Sequence, residues 1–324
     1  MTDRALLSPA LSPMQRALAL AEQALWLTSP NPRVGCVITG AEGQVLGEGH
    51  TQRAGGPHAE VMALRDAQAR GHSLQGACAW VTLEPCAHQG RTGPCCDALA
   101  AAGIARVVVA TGDPNPRVAG QGLARLQAAG VHVQCLPASD PLAQQARELN
   151  VGFFSRMERA RPWVRMKIAA SIDGQTALAN GQSQWITSAE ARADGHAWRA
   201  RACAVLTGIG TVLEDDPLLT VRGLNAPRQP HLVVVDSRLE LPLTARLLET
   251  RGEGELSREI WLYTATPAPS ARREALQAVD YLMDRLKTEA PFWKREVRPD
   301  GAEWIEPRSD DREAHARWTK EQST

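Results

Sequence analysis

The chain has 324 residues, of which 44% are hydrophobic and 22% charged, and this length and composition are typical of a globular protein with two domains. Its 36 Lys and Arg residues equal its 36 Asp and Glu residues, so the charge balance favours neither nucleic acid nor an anionic membrane as a partner. No apolar run reaches the roughly 20 residues that cross a bilayer, and the segment MTDRALLSPALSPMQRALAL lacks the continuous apolar core of a signal peptide. We therefore expect a cytoplasmic protein, in which seven cysteines favour a metal site over disulfides.

The N-terminal part of the chain alternates helix and strand patterns. Hydrophobic periodicity and turn residues predict, in order, a helix over 13–27, strands at 34–39 and 45–46, a helix over 58–70, a strand at 77–83, a helix over 95–102, a strand at 106–110, a helix over 122–129 and a strand at 131–133. This alternation predicts an α/β fold with helices layered on a sheet.

A change of composition marks the end of this first region. Two prolines precede a polar helix, and the basic run RMERARP follows it, so we place a domain boundary near 147–160. The first domain is then 1–147. A second α/β domain is predicted over 160–264, with strands at 163–169, 203–207, 231–235 and 260–263. The pattern changes again in a third segment, 265–324, which begins with a helical run and continues rich in Trp and charge.

The motifs PHAE, LEPC and CC contain the residue types of a zinc site. Zinc prefers tetrahedral nitrogen and sulfur ligands, and a catalytic zinc keeps three protein ligands and a water. His58, Cys86 and Cys95 supply such a set. The metal would acidify the water, and Glu60, two residues after the histidine, could carry a proton from that water to a leaving amine.

Each of these residues taken alone has a structural explanation. A lone His58 would be a surface histidine, and a lone cysteine a small core residue, but their combination with Glu60 favours a metal. Cys96 is a less favoured ligand. His50 fits a substrate loop and a plain surface position equally well. The remaining cysteines are expected in the core: Cys36, Cys78, Cys135 and Cys203.

The spacing of the two cysteines departs from the short form. An H-x-E motif followed by P-C-x-x-C is typical of zinc deaminases, whereas here eight residues, AHQGRTGP, separate Cys86 from Cys95. A longer loop beside the metal could contact a larger substrate, and His88, Arg91 and Thr92 could bind a phosphate or a sugar.

The runs HAEVMALRDA, VTLEPCAHQGRTGPCCDAL and DPNPRVAGQGLARLQAAG resemble the bacterial bifunctional riboflavin-biosynthesis deaminase/reductases, whose own variant is the long insert. The resemblance covers 12–264 and implies a cytidine-deaminase-like domain that binds Zn²⁺ through His58, Cys86 and Cys95, with Glu60 as the catalytic proton shuttle. It implies a substrate, a diaminopyrimidinone carrying a phosphoribosylamino group, that is deaminated by water at its 2-amino position, with Asn31 beside the base. It also implies a homo-oligomer.

The resemblance continues over KIAASIDGQTALANGQSQWITSAEARADGHAWRARACAVLTGIGTVLEDDPLLTVR and implies a dihydrofolate-reductase-like domain that uses NADPH to reduce the ribose of the deaminated product. The run TGIGT at 207–211 follows a strand, and its backbone N–H groups could approach phosphates, although a tight turn is the alternative. Arg199 and Arg222 could bind a substrate phosphate or be solvated surface charges. By motif match the resemblance implies four substrate contacts, Ser183, Arg199, Leu219 and Arg222, and five NADPH contacts, Ala169, Trp185, Thr211, Asp215 and Ser237.

The match to the reductase domain stops near Tyr263. The Glu and the Gly-rich turn that the family's reductases carry beyond this point are not recognisable, so we expect a truncated domain with weakened NADPH binding. The run AVDYLMDRLKTEAPFWKREVRPDGAEWIEPRSDDREAHARW instead resembles the C-terminal end of the catalytic subunit of molybdopterin synthase, which implies active-site roles for Lys287 and Lys294. A solvated basic face anchored by Phe292 and Trp293 is the alternative. The match covers a minor part of that family's length, so we expect no molybdopterin synthase activity.

Two other functions compete with this assignment. A deaminase of free cytosine, guanine or a nucleoside is disfavoured by the long loop that contains Arg91. A structural zinc module or nucleic-acid binder is disfavoured because structural zinc sites close with four protein ligands and because the charge is balanced. We expect a small-molecule substrate and neither nucleic acid nor membrane as a partner.

Overall fold

A computed structural model of the chain describes residues 11–88, 93–116, 118–183, 185–250 and 258–264, and the backbone of 294–298 and 301–305. The chain divides into two compact units, Met1–Thr187 and Ser188–Thr324. The domain limits 1–147, 160–264 and 265–324 stay predictions. Among the described helices, none has both the length and the apolar character that crossing a membrane requires.

The first unit is a five-stranded sheet with helices on both faces. Its elements in chain order are α1 Pro13–Gln23, β1 Gly35–Thr39, β2 Val45–His50, α2 Ala59–Ala69, β3 Cys78–Val81, α3 Cys95–Ala101, β4 Arg106–Val109, α4 Gln121–Ala128, β5 His132–Cys135, α5 Pro141–Leu149 and α6 Val151–Arg159. The strand order is β2-β1-β3-β4-β5, with β1 antiparallel to β2 and β3, and with β3, β4 and β5 parallel. The predicted α/β layering of this region is confirmed.

Alternate residues of the central strands pack against helices on opposite faces. In β1, Cys36 and Ile38 belong to the cluster that contains Ala59 and Ala63 of α2. The intervening Val37 belongs to the second cluster, which contains residues of α1 and α5. Because both faces of the sheet are covered, its central strands present apolar residues to both faces instead of alternating apolar with polar ones.

Two glycines allow the helices to approach this sheet closely. A Cβ on Gly35 would lie 1.9 Å from the carbonyl oxygen of Ala17 in α1. A Cβ on Gly49 of β2 would lie 2.7 Å from the backbone nitrogen of Ala63 and 2.9 Å from the carbonyl oxygen of Ala59, both in α2. The positions of α1 and α2 therefore depend on the absence of side chains at these two sites.

The second unit contains a three-stranded parallel sheet in the order β6-β7-β8. Its described elements are α7 Ala189–Arg201, β6 Ala204–Gly208, α8 Ile209–Asp215, β7 His231–Val235, a 3-10 helix Arg246–Thr250 and β8 Ile260–Tyr263, and the chain continues with the antiparallel pair β9 Lys294–Arg298 and β10 Gly301–Ile305. One face of the three-stranded sheet packs in a core that includes Leu232, Val234 and Ile260. On the other face, Leu206 and Tyr263 are 70% and 51% exposed.

Two predictions for the described residues are wrong. Residues 163–169 form no strand, since they pair with none of the described strands, and Met166 in this run is 81% exposed. The alternation of apolar residues fits a strand, but a strand forms only where a partner edge accepts its hydrogen bonds. Cys135, the last residue of the edge strand β5, and Cys203, between α7 and β6, are exposed instead of buried, whereas Cys36 is buried as predicted and Cys78 is partly buried. The predicted helix that contains Lys287 lies outside the described residues, and for Lys294 only the backbone in β9 is described.

Candidate metal centre and active site

Three elements of the first unit bring the predicted metal ligands together. His58 is the residue before α2, Cys86 lies in the loop after β3, and Cys95 is the first residue of α3. The Nδ1 atom of His58 is 3.3 Å from Sγ of Cys95 and 3.6 Å from Sγ of Cys86. The three ligand atoms all lie within 4.8 Å of one another.

This geometry fits a tetrahedral zinc ion. Ligand atoms about 2.0–2.3 Å from such an ion lie roughly 3.3–3.8 Å apart from each other, which the two distances to His58 Nδ1 match. Among the described residues, His58, Cys86 and Cys95 form the one such cluster. Cys96 is not part of it, and its Sγ lies 3.6 Å from a carboxylate oxygen of Asp97.

Hydrogen bonds prepare one of the two cysteines as a thiolate. The Cys95 thiol donates to Cys86 and lowers the pKa of Cys86 to about 4, and the same hydrogen bond raises the pKa of Cys95. The backbone N–H of Cys95 also donates to Sγ of Cys86, at 3.5 Å. Contact with Cys86 raises the pKa of His58 above its ordinary value. Because zinc binds thiolates and neutral imidazole, metal binding at this centre releases protons.

Glu60 is a buried carboxyl group beside the ligands. It lies in the first turn of α2 and is 3% exposed. Burial raises its pKa from 4.5 to about 7, and it interacts electrostatically with His58, Cys86 and Cys95. A carboxyl group with a pKa near 7 can accept and return a proton at neutral pH, so Glu60 has the protonation behaviour that a proton shuttle needs.

The other residues predicted for this site have varied positions. His50 at the end of β2 is half-buried, with its Nδ1 atom 3.1 Å from the carbonyl oxygen of Thr51. Asn31 is half-buried and accepts a hydrogen bond on its carbonyl oxygen from the side chain of Thr28. His88 is exposed, and Arg91 and Thr92 lie outside the described residues.

Two carboxylates for which the sequence predicts no role lie next to this centre. Glu84 is 4% exposed, and its carboxylate accepts hydrogen bonds from backbone N–H groups of the β4–α4 loop and of α4. Burial raises the pKa of Asp113 to about 6, with Glu84, His88 and Cys86 as its charged neighbours. Both residues stand in runs that carried the resemblance, LEPC and DPNP, and a carboxylate two residues before a predicted ligand is the signal that could have identified Glu84.

In the second unit, two predicted phosphate ligands lie near each other. Arg199 is half-buried, and its Nη1 donates to the carbonyl oxygen of Thr220 at 2.9 Å. Burial, and then the charge of Arg222, lower the pKa of Arg199. Leu219 adopts a left-handed conformation at φ 53°, and its carbonyl oxygen accepts from Arg258 at 2.8 Å. The guanidinium groups of Arg199 and Arg258 therefore both donate to the backbone of the turn that contains Leu219.

The run 207–211, predicted to follow a strand, instead spans the end of β6 at Gly208 and the start of α8 at Ile209. The candidate cofactor residues of the second unit, Thr211, Asp215 and Ser237, are all exposed. The remaining candidates lie in the first unit: Ala169 is partly buried, and Ser183 and Trp185 are exposed. Their roles stay predictions.

Two family models match the chain. Residues 9–111 match the cytidine and deoxycytidylate deaminase zinc-binding region, and residues 162–292 match the RibD C-terminal domain, a match that extends past Tyr263, where the resemblance read from the sequence stops. The first match contains His58, Cys86 and Cys95, and it agrees with the geometry of the candidate metal centre.

Similar proteins are described as riboflavin biosynthesis proteins. The riboflavin biosynthesis protein RibD of Escherichia coli strain K12 is 49% identical over 252 residues, which cover 74% of this chain and 66% of that protein. The protein of the same name from Haemophilus influenzae is 42% identical over 266 residues, 78% of this chain and 68% of that one. The chain thus spans slightly less than two thirds of the E. coli protein.

Solved structures also resemble this chain. A diaminohydroxyphosphoribosylaminopyrimidine deaminase/5-amino-6-(5-phosphoribosylamino)uracil reductase from Thermotoga maritima is 36% identical to it, with a TM-score of 0.71. The match covers 79% of this chain and 70% of that chain.

Proposed function

Because the chain belongs to the RibD family of bifunctional riboflavin biosynthesis proteins, we propose that its first unit is a zinc-dependent deaminase of a pyrimidine precursor of riboflavin. The observation that carries this proposal is the cluster of His58, Cys86 and Cys95 beside the buried Glu60. The proposed substrate is a diaminopyrimidinone with a phosphoribosylamino group, as the name of the Thermotoga maritima protein indicates for that protein.

In this proposal each side chain has one task. His58, Cys86 and Cys95 would hold a zinc ion, which would supply a water molecule acidic enough to react near neutral pH. Glu60 would accept a proton from the attacking water and pass it to the ring nitrogen beside the attacked carbon as the new C–O bond forms. It would then take the remaining hydroxyl proton and pass it to the 2-amino group, so that the C–N bond breaks, ammonia leaves and a carbonyl oxygen takes its place. Each accepted proton is passed on, so Glu60 returns to its starting protonation state.

The loop between Cys86 and Cys95 is the proposed determinant of substrate size. His88, Arg91 and Thr92 would contact the phosphate or the ribose, and Asn31 would lie beside the base. A free base lacks the groups that this loop would bind. With this loop, the proposed substrate differs from those of deaminases that act on cytosine, guanine or nucleosides.

For the second unit we propose NADPH-dependent reduction of the ribose of the deaminated product. Support comes from the match of residues 162–292 to the RibD C-terminal domain and from the junction where β6 leads directly into α8. The proposed substrate contacts are Ser183, Arg199, Leu219 and Arg222, and the proposed NADPH contacts are Ala169, Trp185, Thr211, Asp215 and Ser237. We expect weakened NADPH binding, and a dissociation constant in the low micromolar range, measured by titration of the intact chain, would contradict this expectation.

The proposed setting is a homo-oligomer in the cytoplasm that acts on small molecules and binds neither nucleic acid nor membrane. Sedimentation of the purified chain would test the oligomeric state. A gel-shift assay with RNA and DNA would test the expected absence of nucleic-acid binding.

The deaminase proposal is tested by Glu60→Gln, which preserves the size of the side chain but removes its proton-accepting oxygen. We expect full zinc content and a rate of ammonia release lower by about 10²- to 10⁴-fold, the range for a lost general acid–base. The exposed Glu42, in the turn between β1 and β2, provides the matched control Glu42→Gln, which should keep full activity. Full activity of Glu60→Gln would exclude Glu60 as the shuttle, and equal rates on phosphorylated and dephosphorylated substrate would exclude the proposed role of the loop.

A further inference from the structure

Glu84 is a buried carboxylate that holds a helix and a loop through backbone hydrogen bonds. Its Oε1 accepts from the N–H groups of Gly122, at 3.0 Å, and Leu123, at 3.4 Å. Its Oε2 accepts from the N–H groups of Gly120, at 3.0 Å, and Asp113, at 3.2 Å. Among the described residues no ion pair includes Glu84, so the partners of its carboxylate there are these four backbone N–H groups.

The carboxylate takes the place of a missing helix cap. The residue before α4 is Gly120, at φ 80°, which has no side chain to accept hydrogen bonds from the first turn. The N–H groups of a first helical turn lack partners within the helix and attract negative charge. Glu84 satisfies two of them, those of Gly122 and Leu123, from a segment 38 or more residues earlier in the chain. The position of α4 is thereby tied to the segment that carries Glu84.

That segment also carries a metal ligand, because Pro85 and Cys86 follow Glu84 directly. Pro85 has a fixed φ angle, which limits how far Cys86 can move relative to Glu84. The two segments are also in close contact: a Cβ on Gly122 would lie 1.9 Å from the carbonyl oxygen of Pro85. Glycine at position 122 is therefore needed for the approach that lets Glu84 reach α4.

The hydrogen bond from the N–H of Asp113 to Glu84 extends this connection to the loop between β4 and α4. Glu84 fixes the backbone N–H of Asp113, and the Asp113 side chain in turn accepts from the N–H of Asn115 at 2.8 Å. On the other side of Cys86, its carbonyl oxygen accepts from the N–H of Cys96 at 3.3 Å. Cys86 is thus fixed from α4 through Glu84 and from α3 through Cys96.

We propose that Glu84 is a positioning residue for the metal centre, which holds Cys86 at its ligand position by fastening the metal loop to α4 and to Asp113. The proposal rests on the proposed zinc-dependent deaminase. It assigns Glu84 no contact with substrate and no proton transfer. Its consequence is that the strength of zinc retention depends on a carboxylate that does not touch the metal, as is common for groups that orient metal ligands.

The test uses Glu84→Gln in the full chain. The amide has one oxygen and one NH₂ group, so two of the four N–H donors lose their acceptor and face another donor. We expect release of zinc to a chelator to be faster by about tenfold or more, measured at a temperature where circular dichroism shows the variant folded. The visible absorption of the cobalt-substituted protein should also shift, because it reports the geometry of the thiolate ligands.

A matched control separates positioning from general stability. Asp140 caps α5 by accepting from the N–H of Leu142 at 2.8 Å, which is the same kind of bond without a link to the metal loop. Asp140→Ala should lower the thermal midpoint and leave zinc release and the cobalt spectrum unchanged. If Glu84→Gln behaves like Asp140→Ala, with a lower midpoint and wild-type zinc release, the proposal is overturned.

A wild-type measurement covers the case in which Glu84→Gln does not fold. Hydrogen exchange of the segment 113–123 should slow on zinc loading, since a fixed Cys86 restrains Glu84 and its N–H donors. Identical exchange with and without zinc would overturn the proposal. A wild-type chain that binds no zinc at all would instead contradict the proposed deaminase, so the two failures are distinguishable.

Discussion

At the scale of single residues, two buried carboxylates near the metal ligands have opposite surroundings. Glu84 accepts four backbone hydrogen bonds, which compensate the removal of its charge from water. For Glu60 burial is the largest influence, and it raises the pKa to about 7. The N–H donors around Glu84 suit a carboxylate that holds the backbone in place, and the surroundings of Glu60 suit a group that gains and loses a proton during a reaction.

The raised pKa of Glu60 predicts a pH-dependent stability of the zinc-free protein. Since the pKa is higher in the folded state, about 7, than the ordinary 4.5, the contribution of Glu60 to folding is fully present below about pH 4.5 and is lost as the pH rises through 7. Glu60→Gln removes this titration. Its free energy of unfolding relative to wild type should therefore increase between pH 4.5 and 8, by at most about 3 kcal/mol.

Urea unfolding in the presence of a chelator, at pH 4.5 and at pH 8, measures this change. The difference in unfolding free energy between the two pH values cancels any pH-independent destabilisation caused by the buried amide. Glu42→Gln should show a pH-independent difference from wild type, because Glu42 is exposed. A difference between Glu60→Gln and wild type that stays constant with pH would show that burial does not raise the pKa of Glu60 in the folded chain.

The sequence predicted the chemistry of single residues better than their surroundings. His58, Cys86 and Cys95 were identified because zinc chemistry requires their residue types together, and the structure brings their ligand atoms within 4.8 Å. Glu84 received no role because its partners are backbone N–H groups far along the chain, which leave no mark on the sequence pattern. Cys135 was misplaced because its burial depends on what covers β5, and nothing in the residue type reveals that.

At the scale of helices and strands, the periodic patterns predicted almost all helices and strands of the first unit. The paired patterns of β1 to β5 and α1 to α4 agree with the structure, because both faces of this sheet are covered and each element shows its own period. The run 163–169 has an equally regular pattern but forms no strand. An alternation of apolar and polar residues shows which segment could form a strand. Whether it does depends on another strand with an unpaired edge.

Close packing of helices on the sheet predicts different effects for two glycine variants. Gly49→Ala should displace the first turns of α2, which begin beside His58 and carry Glu60, because the new Cβ would lie 2.7 Å from the nitrogen of Ala63. Both the free energy of unfolding and kcat should fall. Gly35→Ala should displace α1 on the opposite face, so stability should fall by a few kcal/mol while kcat below the melting temperature is kept.

Gly152→Ala is the control for these two variants. A Cβ at Gly152 meets no atom within 4 Å, and the residue lies inside α6, where alanine is favoured over glycine by about 1 kcal/mol. It should therefore be neutral or slightly stabilising. Urea unfolding and steady-state kinetics of the three variants check the prediction, and an equal loss of kcat in Gly35→Ala and Gly49→Ala would refute the assignment of α2 as the element that positions the site.

At the scale of the whole molecule, the chain consists of two compact units with separate cores. All three predicted zinc ligands lie in the first unit, so zinc should stabilise the unit that contains them. A ligand at about 1,000 times its dissociation constant adds roughly 4 kcal/mol to the stability of the state that binds it. In the second unit, Leu232 is fully buried, and Leu232→Ala should cost about 2–5 kcal/mol there.

Differential scanning calorimetry should consequently resolve two unfolding transitions. Removal of zinc by a chelator should lower the midpoint of one of them by several degrees, and Leu232→Ala should lower the midpoint of the other, because each change acts on a different core. Leu206→Ala, on the exposed face of β6, is the control for the second unit: with its side chain 70% exposed, it should leave both midpoints nearly unchanged. If the chelator and Leu232→Ala shift the same single transition, the two units unfold as one, and zinc binding then stabilises the fold of the candidate reductase unit as well.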